Sequence, residues 1–327
     1  MKESSTVAMR SVVLFFTCIQ VISMTLGLSS DPRISQHFDY ETYTAKRLRQ
    51  LAHQILPTGN ILQLATSLGE TELVTYLNKT GLATSVSEIT PLTLFGPSNA
   101  ALAAVSPAVR TQLDHNPAAA FAIFSYHIAD DEVLSSDFVN EQLLKTKLGL
   151  DIRINVYPLT NATTASGRPI QVVDNVATNG VLHELSALML PPGGTISQVL
   201  AEVPDLSILL SAIKAAGMSD MLSAFEPYTL FAPTNQAFQA LPAGEWSQLL
   251  RNTTRLQEVL GYHVARGTTY SAGIGPQMTI PVLSGSLAVV KEGSMVTVNN
   301  TARVTFSDLS ATNGVVHLID SVLFLTG

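Results

Sequence analysis

The apolar positions of this chain recur in a long repeat. From Asn60 onward Leu62, Ala65 and Leu68 stand at helical spacing, and Leu73, Val74, Tyr76 and Leu77 mark a second helix over 72–79 that Gly81 ends. A strand-like run, Thr93-Leu94-Phe95-Gly96-Pro97, then meets Ser98-Asn99 and passes into Ala100-Ala101-Leu102. An apolar segment over 119–128 contains Tyr126-His127, and residues 150–156 alternate at period two. The stretch 177–185 joins Asn179-Gly180, a turn signal because both residues tolerate positive φ, to a strand containing His183. The same signals return in order. Helices are expected over 195–202 and 206–216, closed by Gly217, and the strand Tyr228-Thr229-Leu230-Phe231-Ala232-Pro233 runs into Thr234-Asn235. Tyr262-His263 follows within 256–264, then a β-rich stretch over 287–298, then Asn313-Gly314 with His317 in the strand beyond. Thr234 and Asn235 are good residues to cap the helix they enter, since a side-chain oxygen can accept from a free first-turn amide.

The register of the repeat is nearly constant. Leu73 matches Leu209, Gly81 matches Gly217, Asn99 matches Asn235 and His127 matches His263, each 136 residues apart; the last motif is offset by 134, so the second half is two residues shorter between its strands. Landmarks at so steady an offset imply tandem duplication, and the period is too long for a solenoid. The expected organisation is a signal segment over 1–29, a polar lead-in over 30–58 with helix-like spacing at 43–55, a first domain over 59–192 and a second over 193–327, joined by the short Pro191-Pro192-Gly193-Gly194.

Composition narrows the picture. The chain has 327 residues, 46% of them hydrophobic, which suffices for one packed core per domain. A net charge of −7 without any Lys/Arg-rich run argues against a nucleic-acid partner. Lys2 and Arg10 precede an apolar run over 11–28, and Gly27, Ser29 and Ser30 supply small residues, so the chain is expected to enter the secretory route and be cleaved near Ser29; a signal-anchor helix is the alternative. The single cysteine, Cys18, lies in that segment, leaving no disulfide and no cysteine-ligated metal in a mature chain. Asn78, Asn161, Asn252 and Asn299 head Asn-x-Ser/Thr sequons and are candidate N-glycosylation sites. The C-terminal residues complete the last strand motif with no polar spacer and hydrophobic tail, so no glycosylphosphatidylinositol anchor is expected.

Candidate chemistry is sparse. There is no Gly-x-Ser-x-Gly, no Walker sequence and no His-Glu-x-x-His, and no catalytic, metal or cofactor site is expected. His127, His183, His263 and His317 sit at matched places; each reads best as a core histidine whose ring nitrogens bridge backbone groups. Asn99, Asn179, Asn235 and Asn313 read as residues that cap or turn the backbone.

At these motifs the chain resembles the fasciclin (FAS1) domain family. The second half carries Thr-Leu-Phe-Ala-Pro-Thr-Asn-x-Ala-Phe at 229–238, Tyr-His at 262–263 and Ala-Thr-Asn-Gly-Val-Val-His-x-Ile-Asp-x-Val-Leu at 311–323. The first half departs at Gly96, Ser98, Leu102 and Glu184-Leu185-Ser186 but remains recognisable over about 59–192. The resemblance implies an α+β fold of two tandem FAS1-like domains, each a β-sandwich or wedge with helices packed along one side. Phe95, Pro97, Phe231, Pro233, Thr234, Gly180 and Gly314 would then build core and turns. It further implies a non-catalytic extracellular protein of cell adhesion, matrix or cell-wall association, whose partner is an extracellular protein or polysaccharide. Tyr126, His127, Asp130, Asp131, Tyr262 and His263 match the region linked to receptor binding in the family. Arg266-Gly267-Thr268 is not an Arg-Gly-Asp tripeptide. The alternatives are a small-ligand carrier or enzyme using an inter-domain cleft, and a purely structural wall component.

Overall fold

In the computed structural model, which describes residues 59–88 and 91–325, each half lays down helices around one early strand and then a run of strands. The signal segment and the helix expected over 43–55 lie outside the described residues. In the first half, helices Ile61–Ser67, Thr71–Lys79 and Leu82–Glu88 precede β1 (Thr93–Pro97), and Asn99–Ala103, Pro107–His115 and Pro117–Tyr126 follow it. Then come β2 (Ile128–Ala129), β3 (Gln142–Lys145), β4 (Asp151–Tyr157), β5 (Ala162–Ala165), β6 (Arg168–Ala177) and β7 (Gly180–Leu185). The second half repeats this with helices Ile196–Glu202, Ser207–Ala215 and Ser219–Ser223, then β8 (Tyr228–Pro233), then helices Asn235–Gln239, Glu245–Arg251 and Thr253–Gly261. Its remaining strands are β9 (Val264–Arg266), β10 (Gln277–Val282), β11 (Gly285–Glu292), β12 (Met295–Val298), β13 (Ala302–Ala311) and β14 (Gly314–Ile319).

The strand order is β2-β1-β7-β6-β5-β4-β3 in the first half, and the equivalent order recurs in the second, where β9 pairs with β10 and closes a barrel. A single bridge, Ala129 to Thr146, spans the corresponding gap in the first half. The α+β wedge expected from the resemblance is therefore one sheet curled back on itself. Among the described strands only β1–β7 and β8–β14 pair in parallel, and the chain between the members of each pair is far longer than the crossover parallel strands require.

This curl gives each half two apolar cores on opposite faces of one strand. Along β1, Leu94 faces the helices with Ile61, Leu73, Leu77 and Leu102, while Phe95 faces the barrel interior with Ile152, Ile154 and Leu185. Leu230 and Phe231 divide in the same way in β8. Successive side chains point to opposite faces, so a strand covered on both reads as an unbroken apolar run.

β4 shows where the halves meet. Its period-two pattern predicts one wet face, yet Arg153 and Asn155 are buried along with Ile152 and Ile154. The second half covers that face. Glu141 accepts from Arg153 Nη1 at 2.8 Å, from Thr268 N and Thr268 Oγ1 at 2.7 Å each, and from Asn155 Nδ2 at 3.2 Å. Arg153 Nη2 also donates to Thr312 O, and Tyr157 OH donates to Thr268 O and accepts from Tyr270 N. Gly167 lies flat against the Tyr270 ring and Gly273 against Tyr157, so each half gives up a side chain to seat the other's tyrosine. Replacing Glu141 with Ala would leave Arg153, with only 7% of its side chain exposed, without its counter-charge. The expected loss is about 3 kcal/mol, with one calorimetric transition separating into two. A single transition at the parent temperature would remove the seam as a source of coupling.

Candidate functional site

The motif side chains do one kind of work throughout: they satisfy backbone groups that the fold buries. Thr93 Oγ1 donates to Asp131 O and accepts from Val133 N; Thr229 Oγ1 does the same with Gly267 O and Thr269 N. His183 donates from Nε2 to Val133 O at 2.8 Å and accepts at Nδ1 from Asp174 N; His317 donates to Thr269 O at 2.9 Å and accepts from Asp308 N. Their rings lie against Phe95 and Phe231, at centroid distances of 5.4 and 5.5 Å. Asp174 and Asp308, both at positive φ, accept in turn from the backbone and hydroxyl of Ser135 and Ser271.

The Tyr-His pairs close the helices before β2 and β9. His127 donates from Nδ1 to Ile123 O at 2.8 Å and accepts at Nε2 from Met189 N; His263 donates to Val259 O at 2.7 Å and accepts from Leu323 N. Both imidazoles are fully buried, and burial pushes each down from 6.5 to about 4. Burial also lowers His183 and His317, against the opposing pull of Asp174 and Asp308. Tyr126 is 1% exposed and Tyr262 5%, their hydroxyls bonded to Asp151 O and Ser286 O. Burial raises the Tyr126 phenol well above its ordinary value.

The six expected binding positions therefore divide. Tyr126, His127, Tyr262 and His263 lie inside, out of a partner's direct reach, while Asp130 and Asp131 are exposed. Asp130 pairs with Lys147. The segment carrying the two carboxylates, 130–134, is pinned from beneath by Thr93 and His183, which grip it at Asp131 and Val133. Its counterpart, 266–270, is pinned identically by Thr229 and His317, but there Thr268 and Tyr270 are engaged by Glu141 and Tyr157 of the first half.

The asparagines are bridges. Ser98 and Thr234 are the true N-caps of the helices after β1 and β8. Asn99 accepts from Glu72 N and donates to Gly69 O, and Asn235 accepts from Ile208 N and donates to Pro204 O, so each caps the start of an earlier helix instead of its own. Asn179 accepts from Ile61 N and donates to Val86 O; Asn313 accepts from Ile196 N and donates to Leu222 O. Neither asparagine uses positive φ; in the Asn-Gly turns only the glycines do.

Sequence reasoning missed Thr93, Thr229 and the seam residues. The Thr pair carried a signal, standing at matched places 136 residues apart, each just before the Leu-Phe of its strand run. The seam residues carried none, because polar side chains on alternate strand positions look like a solvated face.

A cleft of about 330 Å³ does lie between the halves, lined among others by Arg168, Leu190, Glu202, Phe306 and Asp308. The Asp308 carboxylate there is already taken by Ser271. Among the described residues no cluster of three or more His, Cys, Asp or Glu side chains is placed to hold a metal. No single described helix is long and apolar enough to cross a membrane.

Comparison with known proteins places these features in context. A family model described as the fasciclin domain matches residues 69–191 and 204–325. Transforming growth factor-beta-induced protein ig-h3 of Sus scrofa is 33% identical over 264 residues, covering 80% of this chain and 37% of that protein. Human periostin is 28% identical over 273 residues, covering 82% of this chain and 32% of that protein. The chain thus spans about a third of the length of these relatives. A solved FAS1 domain pair from the insect cell adhesion molecule fasciclin I is 19% identical with a TM-score of 0.40, covering 78% of this chain and 96% of that one.

Proposed function

This chain belongs to the fasciclin domain family, and from that membership we propose that it is a secreted, non-catalytic adhesion protein. Its partner is an extracellular protein or polysaccharide of matrix, wall or cell surface, and segment 130–134 of the first domain is the contact. One observation carries this reading: the same pinned segment exists twice, and its second copy already docks on a protein surface. The first copy presents Asp130 and Asp131 to solvent on a backbone held rigid from below. Pre-ordering a contact loop reduces the entropy lost on binding. Tyr126 and His127 act as supports in this account, through the core and the linker.

The test is binding of the immobilised full chain to cells and to extracted matrix. Changing both Asp130 and Asp131 to Asn should weaken binding about tenfold or more, with melting nearly unchanged because the Asp130–Lys147 pair is exposed. Undiminished binding by the double variant would remove the segment from the interface.

A further inference from the structure

We infer that Asn299 is a structural residue that carries no glycan, and that N-linked oligosaccharide is confined to Asn78, Asn161 and Asn252. The inference rests on the secretory reading above for its sugar donor, a lipid-linked oligosaccharide. In that transfer the asparagine amide nitrogen bonds to the anomeric carbon of the donor. The bond from that carbon to the diphosphate oxygen breaks, and the amide gives up one proton. What separates the four sequons is what the nitrogen and its oxygen already do.

Asn299 opens the tight turn from β12 to β13, where it and Asn300 have φ of +50° and +56°. Its Oδ1 accepts from Ala288 N at 2.9 Å, and its Nδ2 donates to the hydroxyl of Tyr262 at 2.8 Å. That hydroxyl donates onward to Ser286 O at 3.0 Å, and Tyr262 is 5% exposed. The duplicated fold identifies this as architecture. In the first half the same turn holds Ser166 and Gly167, again at positive φ. Ser166 Oγ accepts from Arg153 N and bonds the hydroxyl of Tyr126 at 2.8 Å, and that hydroxyl bonds Asp151 O. Ser166 and Asn299 also donate their backbone N–H equivalently, to Arg153 O and Ala288 O at 2.7 Å each. One fold position, filled by Ser in one copy and Asn in the other, ties the buried tyrosine to the neighbouring strand. The asparagine heads a sequon only because it meets Thr301 two residues on.

A sugar on Asn299 would be attached to the very nitrogen that sits 2.8 Å from the Tyr262 hydroxyl, so accommodating it turns that nitrogen away and costs the hydroxyl its donor. The other three have no such commitment. Asn252 caps its helix through Oδ1 alone, accepting from Arg255 N, as Asn116 does for Ala119 N without being a sequon. Asn161 is exposed at the tip of the β4–β5 hairpin. Asn78 is exposed on a helix and bonds only its own helix carbonyl, Val74 O.

The test has two arms. Glycopeptide mass spectrometry of the full chain secreted from eukaryotic cells should find Asn78, Asn161 and Asn252 occupied and Asn299 empty; a substantial Asn299 glycoform would overturn the inference while leaving the secretory reading standing. In full-length protein made without glycans, Asn299→Gly keeps the positive φ but removes both side-chain bonds, and should melt several degrees below Asn161→Gly. A Tyr262→Phe background should narrow that difference by the share owed to the bond from Nδ2 to the hydroxyl, leaving the share owed to Ala288 N. Equal melting of the two glycine variants would overturn the structural role of Asn299. Four empty sequons on the secreted chain would overturn the assignment of glycan to Asn78, Asn161 and Asn252, whereas a chain that stays in the cytosol while Asn299→Gly is destabilised would instead defeat the secretory reading.

Discussion

Gly314→Ala is expected to abolish folding of the second domain. Gly314 has φ of +152°, and a Cβ placed there would stand 2.0 Å from the backbone oxygen of Tyr228. That oxygen belongs to β8, the strand pressed between both cores, so neither partner can give way without unpairing β14 from β8. Gly180 repeats the arrangement against Leu92 O, also at 2.0 Å, with φ of +141°. A backbone-to-backbone clash of this kind belongs with the exceptional substitutions that cost more than about 4 kcal/mol, against a total stability on the order of 10 kcal/mol. Gly217→Ala provides the contrast. It too has positive φ, at +68°, but open space around the missing Cβ, so only the left-handed conformation is penalised, at about 1 kcal/mol. Calorimetry with limited proteolysis should show a protease-labile second half for Gly314→Ala and a modestly lowered transition for Gly217→Ala. Comparable melting of the two would refute the close-approach account.

The Asn-Gly motif shows how far sequence reasoning reached. Its place at the mouth of a strand was legible, because alternation beyond it predicts which face His183 and His317 take. The cause was not. Asn-Gly suggests two residues sharing positive φ, whereas the glycine is required by a strand 90 or so residues away and the asparagine by helices further off still. The same holds at Asn99 and Asn235, where local reading predicts a cap for the following helix and the side chain serves the preceding one. The duplication was visible because matched spacings survive substitution. Arg153 and Asn155 were hidden for the opposite reason. A polar strand face facing water and one facing another domain have the same pattern, and only the tertiary arrangement separates them. Burial of the Tyr-His pair belongs to the same class. A tyrosine and a histidine after an apolar helix fit a core end or a contact patch equally, until the second hydrogen bond of each ring nitrogen is known.

Acidification should destabilise this protein before its carboxylates are titrated, and the reason lies in those ring nitrogens. In His127 and His263 one nitrogen donates to a carbonyl and the other accepts from a backbone N–H, so a second ring proton would face a donor inside a dry core. The folded chain therefore holds both neutral down to about pH 4, while the unfolded chain protonates them near 6.5. Below 6.5 the unfolded state binds more protons, so stability falls as pH falls, and the decline from these two groups ends near pH 4. Each contributes a loss of roughly 2 kcal/mol by pH 5 and roughly 3 kcal/mol by pH 4, one in each half, against a margin on the order of 10 kcal/mol. His183 and His317 act in the same direction, one in each half. Denaturant titrations at steps from pH 7 to 4.5 should show stability dropping along the histidine range with unchanged m-value, and replacing His263 with Gln should flatten the slope while lowering the neutral-pH plateau. A stability constant from pH 6.5 to 4.5 would mean that the four imidazoles keep the same protonation in both states. The hydrogen-bond pattern forbids that, because an imidazolium at any of these sites points an N–H at another N–H.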